Sequence, residues 1–207
     1  MSYLGTQPND VKKNTGLYTP SEILQLTKDG SWGGSLEFIE EQTISSNLAD
    51  FTSLQENKYD VLLFQLINVK PNATGNIGLR LSNDSGSSYI SSGYQYAWQR
   101  GFSSGSFDEV KSTSKDRIII AGDAATTGSY NLYIYCYNFG NASKYSFVNF
   151  QGIAGNALPS TNHIMHFGGG VYPTAEVHNA VRFGTLSFNA LTSATIKLYG
   201  VKQIWVT

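Results

Sequence analysis

The sequence predicts an all-β protein, a β-sandwich preceded by an extended N-terminal arm and one short helix. Charged residues make up 14% of the chain, against roughly 25% in an average soluble domain. Glycine (21), tyrosine (13) and phenylalanine (11) are abundant, and these residues favour turns and strands. Eleven short segments rich in β-branched and aromatic residues are separated by turn residues, a spacing typical of two packed sheets.

The first element is the N-terminal arm, predicted over residues 1–32. Residues 1–18 contain few apolar side chains and no sustained period, as expected for an extended segment. Thr19-Pro20-Ser21-Glu22 predicts a helix start, with a hydroxyl N-cap, proline at the first helical position and an acidic residue that bonds back to the cap. Asp29-Gly30 predicts its end. Because a helix of about ten residues is marginal alone, we expect it to dock on its own sandwich or on a neighbouring subunit.

Residues 33–207 are predicted to form the sandwich. No repeat of fixed period is visible in the sequence, which argues against propellers and solenoids. Val61 to Val69 is a nearly continuous apolar run and predicts a central strand that is covered on both faces. The candidate strands are 35–44, 58–69, 77–82, 87–99, 107–111, 116–121, 129–138, 144–153, 161–167, 180–188 and 194–206.

The C-terminal strand, 194–206, is expected to lie inside a sheet of the core. Its first half alternates, which predicts that Ile196 and Leu198 point inward while the residues between and after them point outward. Gly200 is predicted to form a bulge that shifts the phase of this alternation.

Charge and cysteine content narrow the range of partners. A net charge of -1 offers no broad attraction to phosphate backbones or anionic lipids, so we expect neither nucleic acid nor membrane as a partner. The single cysteine, Cys136, lies in an aromatic strand and excludes an internal disulfide framework. The first residues lack the basic and apolar stretches of a secretory signal. We therefore expect assembly in a reducing cytoplasm.

Two patterns in the sequence are candidate metal sites. His163 and His166 have H-x-x-H spacing, with His178 further along. Residues three apart on a strand point to opposite faces, so we favour polar rim or subunit contacts over a shared ion. Asn83 to Gly86 offers oxygens for Ca²⁺, but the same residues favour a tight hairpin turn. We therefore predict no metal and no cofactor.

Enzymatic chemistry has little support in the sequence. Glu37, Glu40 and Glu41, and the pair Asp108-Glu109, are acidic clusters on strand segments. Adjacent strand residues do not face each other across a cleft, as two-carboxylate hydrolysis requires. There is no G-x-S-x-G nucleophile elbow and no Walker-type phosphate loop. The glycine run 168–170 is predicted to be a flexible turn without a following helix that would hold a phosphate.

The densest aromatic stretch carries the candidate binding residues. Tyr94, Tyr96 and Trp98 alternate, so all three project from one strand face, with Arg100 following. Such a face would stack on a flat sugar ring or a protein partner. The alternative is that it belongs to the sandwich core.

Three stretches resemble elements of structural proteins of tailed phages. Residues 15–32 resemble a short N-terminal element in which a glycine and small apolar residues precede a capped helix that ends in a charged residue, glycine and tryptophan. Residues 79–89 resemble a hairpin common in the appendage domains of these proteins. Residues 181–202 are similar to the last strands of phage jelly-roll domains in tail fibres and capsid decorations.

This resemblance implies a jelly-roll sandwich, frequent homotrimeric assembly and attachment to a virion through the N-terminal element. The implied function is that of a bacteriophage virion structural protein, a non-enzymatic decoration or adaptor subunit assembled in the host bacterial cytoplasm. Its partners would be capsid, portal or tail subunits. The alternative is a tail-fibre-type receptor-binding module that recognises host surface glycans.

The arm supplies the predicted anchoring interface. Its apolar side chains lie in a segment too short to bury them alone, so we expect them to contact another chain. These residues are Tyr3, Leu4, Leu17, Ile23, Leu24, Leu26 and Trp32.

Overall fold

A computed structural model describes residues 19–28, 35–155, 163–185 and 189–202. The chain divides into two compact units, Met1–Ser35 and Leu36–Thr207. In the described ranges, no helix combines the length and apolar character needed to cross a membrane. The first unit contributes a single described helix, and the second contributes the sandwich.

Helix α1 spans Pro20–Lys28, and its start has the predicted capping box. The backbone N–H of Thr19 donates to Glu22 Oε2 at 2.7 Å, and the N–H of Glu22 donates to Thr19 Oγ1 at 3.3 Å. These bonds satisfy backbone donors that the first turn leaves without helical partners. They also hold the pKa of the Glu22 carboxyl below its usual value. The predicted stop at Asp29-Gly30 lies outside the described residues.

The sandwich unit contains twelve strands within its described residues, and each of the eleven predicted segments overlaps one of them. The additional strand, β2, spans three residues and is too short to show a sequence period. The strands are β1 (Leu36–Asn47), β2 (Ala49–Phe51), β3 (Val61–Pro71), β4 (Gly75–Ser82), β5 (Tyr94–Phe102), β6 (Phe107–Lys115), β7 (Ile118–Ala124), β8 (Ser129–Tyr137), β9 (Tyr145–Gly155), β10 (Ile164–Ala175), β11 (Ala180–Gly184) and β12 (Leu191–Val201).

Eight of these strands form a jelly roll. One sheet has the order β1-β12-β3-β8 at one end, and the other has the order β2-β11-β4-β7. These eight strands form four nested antiparallel pairs: β1 with β12, β2 with β11, β3 with β8 and β4 with β7. Successive pairs alternate between the two sheets. This is the double-sheet arrangement of jelly rolls, and it confirms the predicted fold.

The other four strands are two hairpins inserted into this framework. Strands β5 and β6 come between β4 and β7 in the chain, and β9 and β10 come between β8 and β11. Both hairpins join the same sheet, which continues from β8 in the order β9-β10-β5-β6. We call these four strands the extension. They make one sheet eight strands wide, while the facing sheet has four.

The core between the sheets is centred on three phenylalanines. Phe51, Phe64 and Phe183 come from three different strands, and their ring centroids lie 5.1–6.2 Å apart in edge-to-face geometry. All three are fully buried. Burying a side chain of this kind stabilises the fold by about 1.5–3 kcal/mol.

The inner face of the extension pairs large rings with glycines. Trp98 of β5 lies directly opposite Gly168 of β10, and Tyr96 lies opposite Gly170. A Cβ atom on Gly168 would lie 2.2 Å from the Cβ of Trp98. The glycine run is therefore the middle of a strand, and the predicted flexible turn is wrong. Glycine is needed here because the neighbouring backbone and rings approach too closely for a side chain.

Strand β12 lies between β1 and β3, as predicted for the C-terminal strand. Ile196 and Leu198 are fully buried, which confirms the predicted alternation. The predicted bulge at Gly200 is wrong, because Gly200 pairs in register with Leu62. Its missing side chain makes room for the ring of Tyr59, whose atoms would lie 2.4 Å from an added Cβ.

The turn after β4 has the predicted chemistry but not the predicted hairpin. Ser85 and Gly86 have φ angles of 59° and 84°, the left-handed values that small polar residues and glycine favour. Strands β4 and β5 belong to different sheets, so the segment 83–93 crosses between them. The predicted strand 87–99 therefore starts too early, because β5 begins at Tyr94 and residues 87–93 belong to this crossing.

The ring–glycine pairing predicts a large difference between two alanine substitutions. Gly168→Ala should lower the free energy of unfolding by about 1–3 kcal/mol, because the new methyl group overlaps Trp98. Gly155→Ala is the matched control, since an added Cβ there meets no atom within 4 Å. Urea unfolding of both variants measures the difference. Equal stability of the two variants would contradict the close packing at Gly168.

Candidate functional site

The predicted aromatic binding face belongs to the core. Tyr94, Tyr96 and Trp98 are 0%, 6% and 3% exposed, so none of them presents a ring to solvent. The Tyr94 hydroxyl accepts a hydrogen bond from the backbone N–H of Leu81 at 2.8 Å, and burial raises the pKa of Tyr94. The core interpretation of this stretch is therefore the one that agrees with the structure.

Arg100 continues the same inward row, and its charge is satisfied within the chain. Its Nη2 donates to Asp108 Oδ2 at 2.6 Å, and its Nε donates to the same oxygen at 3.0 Å. The guanidinium carbon lies 5.2 Å from the centre of the Phe102 ring. Hydrogen bonding to Arg100 lowers the pKa of Asp108. Arg100 therefore positions the edge strand β6 against β5.

The two histidines of the H-x-x-H pattern point to opposite faces. His163 is exposed, whereas His166 is fully buried between Trp98 and Tyr130, at ring-centroid distances of 5.4 and 6.4 Å. Neither ring nitrogen of His166 has a hydrogen-bond partner among the described residues. Burial, with a contribution from Arg100, lowers the pKa of His166 to about 4. No group of three metal-ligating side chains occurs among the residues that the structure describes.

The Asn83–Gly86 turn uses its carboxylate internally. Asp84 Oδ1 accepts from the Ser88 N–H at 2.8 Å and from the Ser82 hydroxyl at 2.7 Å, and its Oδ2 accepts from the Ser88 hydroxyl at 2.6 Å. These bonds lower the pKa of Asp84 to about 2. The oxygens considered for Ca²⁺ are therefore engaged in holding the turn.

The two acidic clusters lie at opposite edges of the eight-stranded sheet. Glu37 to Glu41 are on β1, and Asp108 and Glu109 are on β6. Seven strand spacings of about 4.8 Å separate these edges by roughly 34 Å along the sheet. Two-carboxylate hydrolysis requires about 5–9.5 Å between the carboxyl groups. Glu37 and Glu109 instead pair with lysines, each at 2.7–2.8 Å.

The described part of the predicted anchoring interface is on helix α1. Ile23 is half-buried and Leu24 is 55% exposed. The side chains of the remaining anchoring residues lie outside the described ranges: Tyr3, Leu4, Leu17, Leu26 and Trp32.

A serine, a histidine and a glutamate lie in line at a place that the sequence did not indicate. Ser146 Oγ lies 2.7 Å from His178 Nδ1, and His178 Nε2 lies 3.2 Å from Glu176 Oε1. These residue types form hydrolase triads. Here Ser146 is 1% exposed and His178 is fully buried, so a substrate carbonyl cannot reach the hydroxyl. The trio instead links β9 to the connection between β10 and β11.

The exposed apolar side chains of the sandwich are confined to one surface. Strand register places all ten that occur among its described residues on the outer face of the eight-stranded sheet. The outer face of the other sheet carries charged pairs, Arg182 with Asp50 and Arg80 with Asp116, and none of these exposed large apolar side chains. The ten residues are Leu36, Phe38, Phe107, Tyr133, Tyr137, Tyr145, Phe147, Ile153, Met165 and Phe167.

A trough crosses the extension on this outer face. Its floor is the cross-strand row Ala97–Gly169–Asn149, in which the side chains are short or absent. Phe147 borders one side and Phe167 the other. The depression beside Phe147 has a volume of about 720 Å³, and that beside Phe167 adds about 280 Å³.

The row beside the trough alternates amides and aromatic rings. Successive strands place Gln65, Tyr133, Gln151, Phe167 and Gln99 side by side. The Tyr133 hydroxyl donates to Gln151 Oε1 at 2.6 Å. A sequence signal for this surface exists, because the strand segments 129–138 and 144–153 have aromatic or apolar residues on both faces. The densest aromatic run of the sequence, Tyr94 to Trp98, is a different stretch whose rings lie in the core.

Comparison with known proteins gives no family assignment. No family model and no curated protein matches the chain. The crystal structure of alginate lyase vAL-1 from Chlorella virus is similar at 11% identity, covering 84% of this chain and 96% of that one, with a TM-score of 0.21. A likeness at this level carries no argument about function.

The buried His166 predicts acid sensitivity. Its pKa is lowered from 6.5 to about 4, so the unfolded chain binds its proton more readily than the folded chain does. Its contribution is fully present above about pH 6.5 and is lost as the pH falls toward 4, a change of roughly 3 kcal/mol. Urea unfolding at pH 7, 5.5 and 4 should show this loss, and His166→Leu should reduce it. The exposed control His163→Gln should keep it, and identical pH slopes for all three proteins would contradict the assignment.

Proposed function

We propose that the chain is a bacteriophage virion structural protein, a non-enzymatic decoration or adaptor subunit that works by packing against other proteins. The observation that carries this proposal is the one-sided distribution of exposed apolar side chains. Soluble monomers rarely expose large contiguous apolar patches, and such patches mark interaction surfaces. The opposite outer face, with its Arg–Asp pairs, is suited to water. The jelly-roll fold agrees with the resemblance seen in the sequence.

The absence of enzymatic activity is part of this proposal and is supported by three features. The acidic clusters are at opposite edges of the sheet. The hydroxyl of Ser146 is enclosed. Burial raises the pKa of the Cys136 thiol, which makes it a poor nucleophile. Within the described residues, these acidic clusters are too far apart for two-carboxylate hydrolysis, and Ser146 and Cys136 are inaccessible.

The proposed contact between subunits is the apolar corner near the free edge strand β6. Phe107 is 75% exposed, and it lies in one cross-strand row with Met165 and Ile153, which are 47% and 53% exposed. We assign this corner to a neighbouring copy of the chain in a homotrimer. Apolar residues at the centre of an interface supply most of its affinity.

A second candidate function is a tail-fibre-type receptor-binding module that recognises host surface glycans. The trough between Phe147 and Phe167 favours it, because rings beside amide side chains suit a sugar chain. Copy number on purified particles separates the two candidates. Hundreds of copies per particle would indicate capsid decoration, whereas a few dozen or fewer would indicate tail hardware.

The anchoring role of the arm is tested by deleting residues 1–18. The truncated protein should remain folded, because the sandwich unit begins at Leu36 and has its own core. It should no longer join the particle, which quantitative electrophoresis of purified particles measures. Thermal melting of the truncated protein provides the control for folding. Incorporation at normal occupancy would refute the anchor.

The subunit contact is tested by the double substitution Phe107→Ser and Met165→Ser. We expect the trimer to dissociate into folded monomers, because the polar side chains remove apolar area from the contact. Light scattering of the chromatographed protein measures the mass. Phe38→Ser is the matched control, since Phe38 is 57% exposed on the same face but lies on the far edge strand. A wild-type protein that is monomeric both in solution and on the particle would show that the trimer does not exist.

A further inference from the structure

The dimensions of the trough suit an extended chain molecule. The trough runs perpendicular to the strands, from Lys111 on β6 through Ala97 and Gly169 to Phe147 and Val148 on β9. Three strand spacings of about 4.8 Å give a length of roughly 14 Å. A pyranose unit in an extended polysaccharide advances the chain by about one strand spacing. The trough therefore accommodates about three sugar units in a row.

Exposed rings border the trough on both sides. Phe147 is 43% exposed and Phe167 is 37% exposed, and they lie on the neighbouring strands β9 and β10. Relative to Gly169, they stand two residues away in opposite directions along the strands, because Phe147 pairs with Val171 and Phe167 with Gln151. Each ring therefore flanks the floor and is available to stack on the apolar face of a sugar ring.

Uncharged hydrogen-bonding groups accompany these rings. Gln95, Gln99 and Asn149 project from the same face, and an amide both donates and accepts hydrogen bonds, as sugar hydroxyls do. Gln151 accepts from the Tyr133 hydroxyl, which fixes the amide and leaves its N–H₂ group to donate. The Tyr133 oxygen in turn retains the capacity to accept a hydrogen bond.

The charge on this face selects among possible ligands. None of the described residues that face outward in the paired parts of β8, β9, β10 and β5 is charged. On β6, Lys111 pairs with Glu109 at 2.8 Å, so the two charges offset each other. Nucleic acid and acidic polysaccharides require unpaired cations, and an apolar protein segment would leave the amides without partners.

We propose that the trough binds a neutral, unbranched polysaccharide chain that lies across strands β6, β5, β10 and β9. Phe147 and Phe167 stack on sugar rings, while Gln95, Gln99, Asn149 and Gln151 bind hydroxyl groups. This inference names the ligand class of the second candidate function and rests on that function alone. It does not depend on the contact at Phe107.

The test measures binding of the full chain to an array of neutral hexasaccharides of glucose, mannose, galactose and rhamnose, with hexagalacturonic acid as the acidic probe. We expect at least one neutral probe to bind more tightly than the acidic probe. Ala97→Arg should abolish binding because it fills the floor with a charged side chain. Phe147→Ala should weaken binding by about tenfold, through loss of one ring contact. Phe38→Ala, an exposed ring outside the trough, should leave binding unchanged.

Incorporation of Ala97→Arg into particles is measured in parallel. Binding lost while incorporation stays normal supports the saccharide site. The proposal is overturned if no neutral probe binds, if the acidic probe binds best, or if Ala97→Arg binds as the wild type does. Loss of incorporation without any saccharide binding overturns it as well, and would identify the trough as a protein contact within the proposed structural role.

Discussion

The structure depends on how an eight-stranded sheet buries its inner face against a sheet of half its width. The jelly-roll strands cover each other, whereas the extension, as far as the structure describes the chain, packs against the edge strand β7 of the facing sheet. Large rings fill this space, and the space exists only because Gly168 and Gly170 stand opposite Trp98 and Tyr96. The methyl groups of Ile118 on β7 would lie within 3.1 Å of a Cβ on Gly170. The high aromatic content and the high glycine content are therefore related, because the large rings of one strand pack where the neighbouring strand has glycine.

The packing of these rings on the inner face of the extension determines which side chains remain on its outer face. Because the even-numbered residues of β5 are used in the core, their aromatic rings cannot also bind a partner. The odd-numbered positions of the neighbouring strands face outward, and they carry Tyr133, Phe147 and Phe167. The insertion of two hairpins thus creates a broad outer surface without opening the core. A jelly roll without the extension would lack the strands that form the trough.

The sequence predicted what depends on local chemistry and periodicity. The Thr19–Glu22 capping box, the alternation at Ile196 and Leu198 and the left-handed turn at Ser85 all follow from neighbouring residues. The prediction for the glycine run was wrong because the ring that requires glycine there, Trp98, lies on another strand, more than sixty residues away in the sequence. The predicted binding face at Tyr94, Tyr96 and Trp98 was wrong because alternation shows only that these side chains share one face of the strand. It does not show whether that face contacts solvent or the core. When both faces of a strand are apolar, only the pairing of strands decides the matter.

The two outer faces differ in the charged groups that a bound partner would cover. On the four-stranded sheet, Arg182 bonds Asp50 and also lies 4.0 Å from the centre of the Tyr89 ring, and Arg80 bonds Asp116. Partly exposed pairs of this kind add little stability, but a partner that covered them would have to displace their water. On the eight-stranded sheet, the outward residues of β8, β9, β10 and β5 are uncharged, and the ion pairs Lys111–Glu109 and Lys197–Glu41 lie on the strands to either side of them. Association through these four strands therefore gains apolar burial at the smaller desolvation cost, which is the physical reason for assigning both proposed contacts to this part of the sheet.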